Sequence, residues 1–337
     1  MPTPPRKKIR PRPRRTLRAG LLATLGAIAC ASAGAGTAAT PPGDRETFHL
    51  GFTYSMFTDV NENDARASIK ALATTVSRER DIPTDPEPQL FNGAEAVAAA
   101  VRAGTVDAIG MTTGEYWTLA GEAQFDRFLL AVKDDDPTEE YLLVVPRADG
   151  LTGVADLRGK RLSVFANSRM SLGPVWLEVL LARQGLPPSA EHFGRVTTLP
   201  KLSKVVLNVF FRQTDACLVT RRGFATMAEL NPQVGRQLTI LAASPAVVPA
   251  LFGFRRGFST QLKSKIIREF GAVHMSPAGQ QALTIFQVGQ VAERPVTALD
   301  SALALLEEYA RLRPADSAGL ISTLRRKQTI GSVSVRP

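Results

Sequence analysis

Four short stretches carry side chains able to hold a small anion, each where an extended apolar run gives way to a helical one. They are Tyr54-Ser55-Met56, Thr112-Thr113-Gly114-Glu115-Tyr116, Asn167-Ser168-Arg169-Met170-Ser171 and Thr220-Arg221-Arg222. A helix start presents unpaired N–H groups and a partial positive charge, so it suits an anion without a dedicated cation. Ser55, Thr112, Thr113, Ser168 and Ser171 add hydroxyls, and Tyr54 and Tyr116 add aromatic rings. The guanidinium forks of Arg169 and Arg221 match an oxyanion best. Each residue also has a plainer reading. Thr112 and Ser171 suit helix caps, Arg221 and Arg222 a solvated surface pair, and Tyr116 and Trp176 the core. Asp107 and Asp215 read as braces of turns, and Lys201 as a solvated lysine.

Signatures of catalysis are mostly absent from the chain. His49, His192 and His274 are scattered and none sits at metal-ligand spacing. No Walker loop, G-x-G-x-x-G or nucleophile elbow occurs. Asp134-Asp135-Asp136 lies between Lys133 and Pro137 in an acidic loop, where solvation explains it. An enzyme would need a protonatable pair in the site, with Glu115 and Glu62 the candidates, so a non-enzyme without cofactor or metal is expected.

Charge points away from nucleic acid. The formal net charge is +10, yet eight of the 41 basic residues fall in 1–40 beside no acidic one, which leaves 33 against 31 acidic residues. The body is nearly neutral and lacks the basic face that a polyanion requires. The same N-terminal stretch reads as an export signal: basic residues to Arg18, an apolar run over 21–31, and small residues to Thr40. Arg14-Arg15-Thr16-Leu17 resembles a twin-arginine signal, and Ala27-Ile28-Ala29-Cys30 approaches a lipid-attachment box with Ala27 in place of leucine. A disordered basic tail is the plainer alternative. Removal of Cys30 leaves Cys217 alone, so the exported chain holds neither an internal disulfide nor a cysteine metal cluster.

Chemistry at strand-to-helix joins needs a sheet whose strands end at one edge. With 337 residues, 44% hydrophobic and 21% charged, the chain is long enough for about two domains of ordinary globular composition. Extended runs at 49–53, 106–111, 141–146, 161–165 and 215–220 alternate with helical patterns at 64–77, 175–184 and 205–211, which predicts an α/β fold. Asn92 and Glu95 suggest a capping box, Gly104 and Gly185 suggest helix stops, and 259–313 reads as largely helical. Residues 104–112 also echo 212–220, each passing through an Asp-Ala pair into a strand that ends in threonine. Two similar α/β lobes facing a shared cleft follow. The first lobe is expected to take 41–142 and 246–330, the second 143–245, with 331–337 as a frayed tail.

Gly159-Lys160-Arg161-Leu162-Ser163-Val164 before a polar turn resembles the type II periplasmic binding proteins. So do Asp156-Leu157-Arg158-Gly159-Lys160, Gly104-Thr105-Val106-Asp107-Ala108 and Ser276-Pro277-Ala278-Gly279-Gln280. Within that group, 46–295 is similar to the phosphate/phosphonate/sulfonate-binding branch of ABC-transporter receptors. The resemblance implies two lobes with mixed sheets flanked by helices around a central cleft, and a monomer that hands a small anionic ligand to a membrane permease. Docking on a membrane sensor is the alternative partner. It also implies an oxyanion held by a Ser/Thr-rich turn, here 168–173, in which Met170 and Leu172 replace expected hydroxyls. Tyr116 corresponds to the first-lobe aromatic.

Overall fold

The computed structural model describes residues 47–57, 62–119, 124–285 and 288–314. The expected export segment, with its twin-arginine pair and Cys30, and the 331–337 tail lie outside them. The chain starts with β1 (Leu50–Thr53), α1 (Glu62–Arg80), β2 (Gln89–Phe91), α2 (Ala94–Ala103), β3 (Ala108–Thr112), α3 (Thr113–Leu119) and β4 (Phe125–Val132). It crosses to β5 (Tyr141–Pro146), β6 (Arg161–Phe165), α4 (Gly173–Arg183), α5 (Ser189–His192), β7 (Arg195–Leu199), α6 (Leu202–Phe210), β8 (Ala216–Thr220), α7 (Arg221–Leu230), α8 (Pro232–Gln237) and β9 (Leu238–Ala243). It then returns through β10 (Ala250–Arg255), α9 (Thr260–Gly271), α10 (Pro277–Ile285) and β11 (Gln290–Arg294) to α11 (Asp300–Leu312).

Two mixed sheets result, in the orders β11-β4-β10-β3-β1-β2 and β7-β6-β8-β5-β9. In each, three parallel strands adjoin an antiparallel strand that lies next to a crossing: β2-β1-β3 beside β10, and β7-β6-β8 beside β5. All six residues of β5 are buried, as its continuous apolar run requires of a strand covered on both faces. The echoed segments occupy equivalent places. Asp107 accepts the backbone N–H of His49 ahead of β1 at 2.9 Å, and Asp215 accepts that of Arg161 at the start of β6 at 2.7 Å. Each carboxylate also takes a guanidinium, Arg255 at 2.7 Å and Arg161 at 2.9 Å. The Arg161 hydrogen bonds hold the Asp215 carboxyl below the usual carboxylate range. These aspartates brace strand starts.

The crossings pair with one another. Glu139 and Val247 exchange backbone hydrogen bonds at 2.8 and 2.9 Å, and Ser244 donates its N–H to Tyr141 O at 2.8 Å, so 139–141 and 244–247 run side by side. Ahead of them the chain reverses at Lys133–Asp136, with Asp134 and Asp135 at φ 54° and 65°. This is the left-handed pair of a tight hairpin turn, which aspartate tolerates. The acidic run is therefore more than solvated loop: Asp135 binds Arg294 of the first lobe, and Asp136 binds Arg222 of the second at 3.1 Å.

Three sequence expectations differ from the structure. Gly93, at φ 86°, starts α2, because Asn92 makes no capping bond there and only glycine adopts that angle freely. The stretch 259–313 holds β11 as well as helices; its exposed, polar residues mark an edge strand. The first lobe does not keep all of 246–330, since Ala302, Leu305, Leu306 and Tyr309 of α11 join the second lobe's core beside Trp176 and Leu177. α11 forms a third crossing.

Cys217 lies second in β8 with no exposure, and burial pushes its thiol up to about 12. A raised thiol pKa favours the fold while the unfolded thiol is still protonated, and that stabilisation is lost as pH rises from about 9 toward 12. Cys217 is expected to resist a disulfide reagent at pH 8 and to react fully in denaturant, read by mass spectrometry of its peptide. Full labelling of the native chain would contradict its burial.

Candidate functional site

At the first-lobe junction, β1 ends at Thr53 in a short 3-10 turn over Tyr54–Met56, and β3 ends where α3 begins. Thr112-Thr113-Gly114-Glu115 forms a capping box. The Thr112 hydroxyl accepts the Glu115 N–H at 3.3 Å, and the Glu115 carboxylate accepts the Thr112 N–H at 2.9 Å. That carboxylate has no exposure, and its Oε2 also accepts the hydroxyls of Thr53 at 2.7 Å and Thr112 at 2.9 Å. Ser55 donates to Oε1 at 2.8 Å. The position where this helix start would hold an anion is filled by the chain's own carboxylate.

Thr113, also fully buried, gives its hydroxyl to Val248 O at 2.6 Å and its N–H to Pro249 O at 3.0 Å, which pins α3 to the crossing. Tyr116 packs on Phe128 and Phe125, at ring separations of 5.5 and 6.2 Å, in the core beside α2. Burial pushes its phenol up. Its plainer reading, as core, is the one the packing supports. Tyr54 stays on its half-buried turn, its hydroxyl 3.5 Å from the Arg66 guanidinium.

At the second-lobe junction, the Asn167 side chain accepts the Arg169 N–H at 2.9 Å and starts a turn over Ser168–Met170. Met170 and Leu172 occupy expected hydroxyl positions because both point into the lobe's core, 3% and 1% exposed. Ser171 donates to Pro249 O at 2.8 Å, so its hydroxyl serves the crossing. Ser168 and Arg169 face a cleft space of about 50 Å³, partly open to solvent. Met56, Ala131, Ala250 and Val288 of the first lobe line its other side, and Pro137 and Pro249 lie between.

Arg169 forms an ion pair with Glu139, a crossing residue only 2% exposed, whose Oε2 has no hydrogen-bond partner. Tyr141, buried beneath, donates to Arg169 O at 3.0 Å; burial and the neighbouring Glu139 push its phenol far up. Arg221 turns to Glu140 at 2.7 Å and its backbone N–H to Glu140 O at 2.8 Å, so it braces the crossing at the surface.

Of the nine expected residues, then, Ser168 and Arg169 reach the cleft space. Ser55 and Thr112 serve Glu115, Thr113 and Ser171 the crossing, and Arg221 Glu140. Glu139 was not foreseen, because its partner lies 30 residues away in sequence; its place two residues before the strongest strand was the available signal. The side chain of Glu62 lies outside the described residues. Among the described residues no cluster of His, Cys, Asp or Glu could hold a metal ion, and no helix is long and apolar enough to cross a membrane.

A family model described as ABC transporter, phosphonate, periplasmic substrate-binding protein matches residues 54–296. Solved structures resemble the fold at low identity. A binding-protein component of a Pseudomonas aeruginosa ABC phosphonate transporter is 14% identical over 84% of this chain and 98% of its own, with a TM-score of 0.52. A Prochlorococcus marinus protein in complex with methylphosphonate is 15% identical over 81% and 100%, at 0.51. A Xanthomonas citri protein bound to ATP is 18% identical over 80% and 98%, at 0.56. No curated protein matches the chain.

Proposed function

We propose, from the premise that the chain belongs to the periplasmic substrate-binding proteins of ABC phosphonate transporters, that it is the exported receptor for a small oxyanion of phosphonate type, held chiefly by the second lobe. The observation that carries the reading is the cleft space between Ser168 and Arg169 on one side and an apolar first-lobe wall on the other. An arginine has five N–H donors, and the pair with Glu139 uses one terminal nitrogen, so the fork keeps donors for a ligand. With Glu115 already satisfying the first-lobe helix start, that lobe supplies enclosure and little charge. Closure is a hinge movement about the paired crossings. The ligand then passes to an ABC permease, and the monomer needs no cofactor. The basic and apolar run over 1–31 supports export by a signal, of twin-arginine type on Arg14-Arg15, with lipid attachment at Cys30 the lesser route. Nothing supports a membrane sensor as partner.

Titration of the full chain with methylphosphonate, phosphate, sulfate and methanesulfonate, followed by thermal unfolding, tests this. One anion at ten times its Kd is expected to stabilise the fold by about 1.4 kcal/mol. A folded sample that responds to none of them overturns the oxyanion assignment.

A further inference from the structure

A second cavity, about 100 Å³ and partly open to solvent, lies inside the first lobe between one face of its sheet and α1, α9 and α10. Phe52, Leu72, Leu129, Phe252, Phe270 and Leu283 form its walls, and every described residue that lines it is apolar. Phe52 lies flat across β3 because residue 110 is glycine; a Cβ there would stand 2.4 Å from the ring. Phe252 and Phe270 stack at 6.0 Å with their planes 18° apart. Protein interiors hold few voids larger than a water molecule, and an unfilled apolar void is destabilising. This one, at about 100 Å³, exceeds several-fold the roughly 10–15 Å³ that one water needs. Met56, Ala131, Ala250 and Val288 line both this cavity and the cleft space beside Ser168 and Arg169. The charged site and the apolar one therefore share a wall.

We propose that the ligand is an amphiphile, whose single unbranched alkyl chain enters the first-lobe cavity while its oxyanion head stays at Ser168 and Arg169. The head rests on the function proposed above; the tail rests on the cavity alone. No described residue of the lining offers a polar side chain to orient a ring or an amide, so the cavity selects for length and apolarity. Each added methylene is expected to tighten binding about fourfold, the equivalent of about 0.8 kcal/mol per buried CH₂.

Two ligand series titrated into the full chain test this, both kept below micelle-forming concentrations: methyl-, butyl-, hexyl- and octylphosphonate, and n-alkanols of the same lengths. Affinity is expected to rise at least a hundredfold from methyl- to hexylphosphonate. In Leu72→Phe and Leu283→Phe, which fill the inner cavity from two different helices, the gain should stop at shorter chains while methylphosphonate binds as before. Methylphosphonate binding with a flat length series overturns the tail and leaves the oxyanion receptor standing. Alkanols that bind with a length-dependent gain, lost in the filled variants, while no phosphonate binds, overturn the oxyanion head and leave the apolar site. Failure of both series overturns both. A single-chain lysophosphatidate that binds tighter than octylphosphonate supports the tail and assigns it to a lipid; the reverse order supports it and assigns a soluble alkyl anion.

Discussion

Replacing Arg169 by methionine is expected to lower stability by about 3 kcal/mol and to abolish oxyanion affinity, and adding Glu139→Gln to restore the stability but not the affinity. Glu139 is 2% exposed, and the Arg169 side chain 23% exposed. Removing the cation strands a buried carboxylate, which costs about 3–5 kcal/mol in fully buried pairs; the part-exposed arginine places this one at the low end. Neutralising both partners removes the uncompensated charge, so the double variant should unfold near the wild-type denaturant midpoint. Ligand affinity has no such route back, since the fork is gone. Urea unfolding of the two single variants and the double, with methylphosphonate titrations alongside, separates the two roles as a double-mutant cycle. A double variant as unstable as Arg169→Met would reduce the arginine to packing. Retained affinity in Arg169→Met would remove it from the site.

Glu115→Ala should cost about 3 kcal/mol, and Glu115→Gln about 1. The alanine leaves the Thr112 N–H and the hydroxyls of Thr53, Ser55 and Thr112 without their buried acceptor. Each stranded group carries about 1–3 kcal/mol, with hydroxyls able to recover part by rotating to other oxygens. Glutamine keeps the shape and an oxygen at the Oε2 position, while its amide nitrogen faces the Ser55 hydroxyl, which can turn to accept. It loses the favourable meeting of a carboxylate with the positive end of α3. Chemical denaturation of both variants decides the matter. Equal losses would mean that the side chain acts by volume, and a loss below about 1 kcal/mol in Glu115→Ala would mean that the network contributes little.

The parts of the fold that could be read from the chain are those whose burial is continuous. β1, β3, β5 and β8 are apolar runs buried throughout, β6 is buried over its middle three residues, and their composition admits few other states. β4 and β11 were hidden because Asp126, Arg127, Glu293 and Arg294 interrupt them. Their pairing, with Arg127 and Glu293 joined at 2.6 Å, becomes visible only when the strands lie side by side. The site divides the same way. Ser168 and Arg169 were legible because a strand-to-helix join and a guanidinium are local facts. The Thr112-to-Glu115 capping box was equally local, though only three dimensions add Thr53 and Ser55 to it. Ser171 and Thr113 went to the crossing because Val248 and Pro249 carbonyls, more than 75 residues away, had bonds to accept. Distance along the chain, not chemistry, set the limit.

The passage of α11 into the second lobe bears on how the molecule is born. The first lobe needs β10 and β11 to complete its sheet, and the second needs Ala302, Leu305, Leu306 and Tyr309 to cover Trp176 and Leu177. Neither half can close its core on a growing chain until β10, β11 and α11, which follow every other strand of both sheets, have emerged, so no early-finished lobe waits for the other. Such long-range closure slows folding and prolongs the exposure of apolar surface. A ribosome stalled before Asp300 would hold a chain with its second core uncovered, a state made for a chaperone.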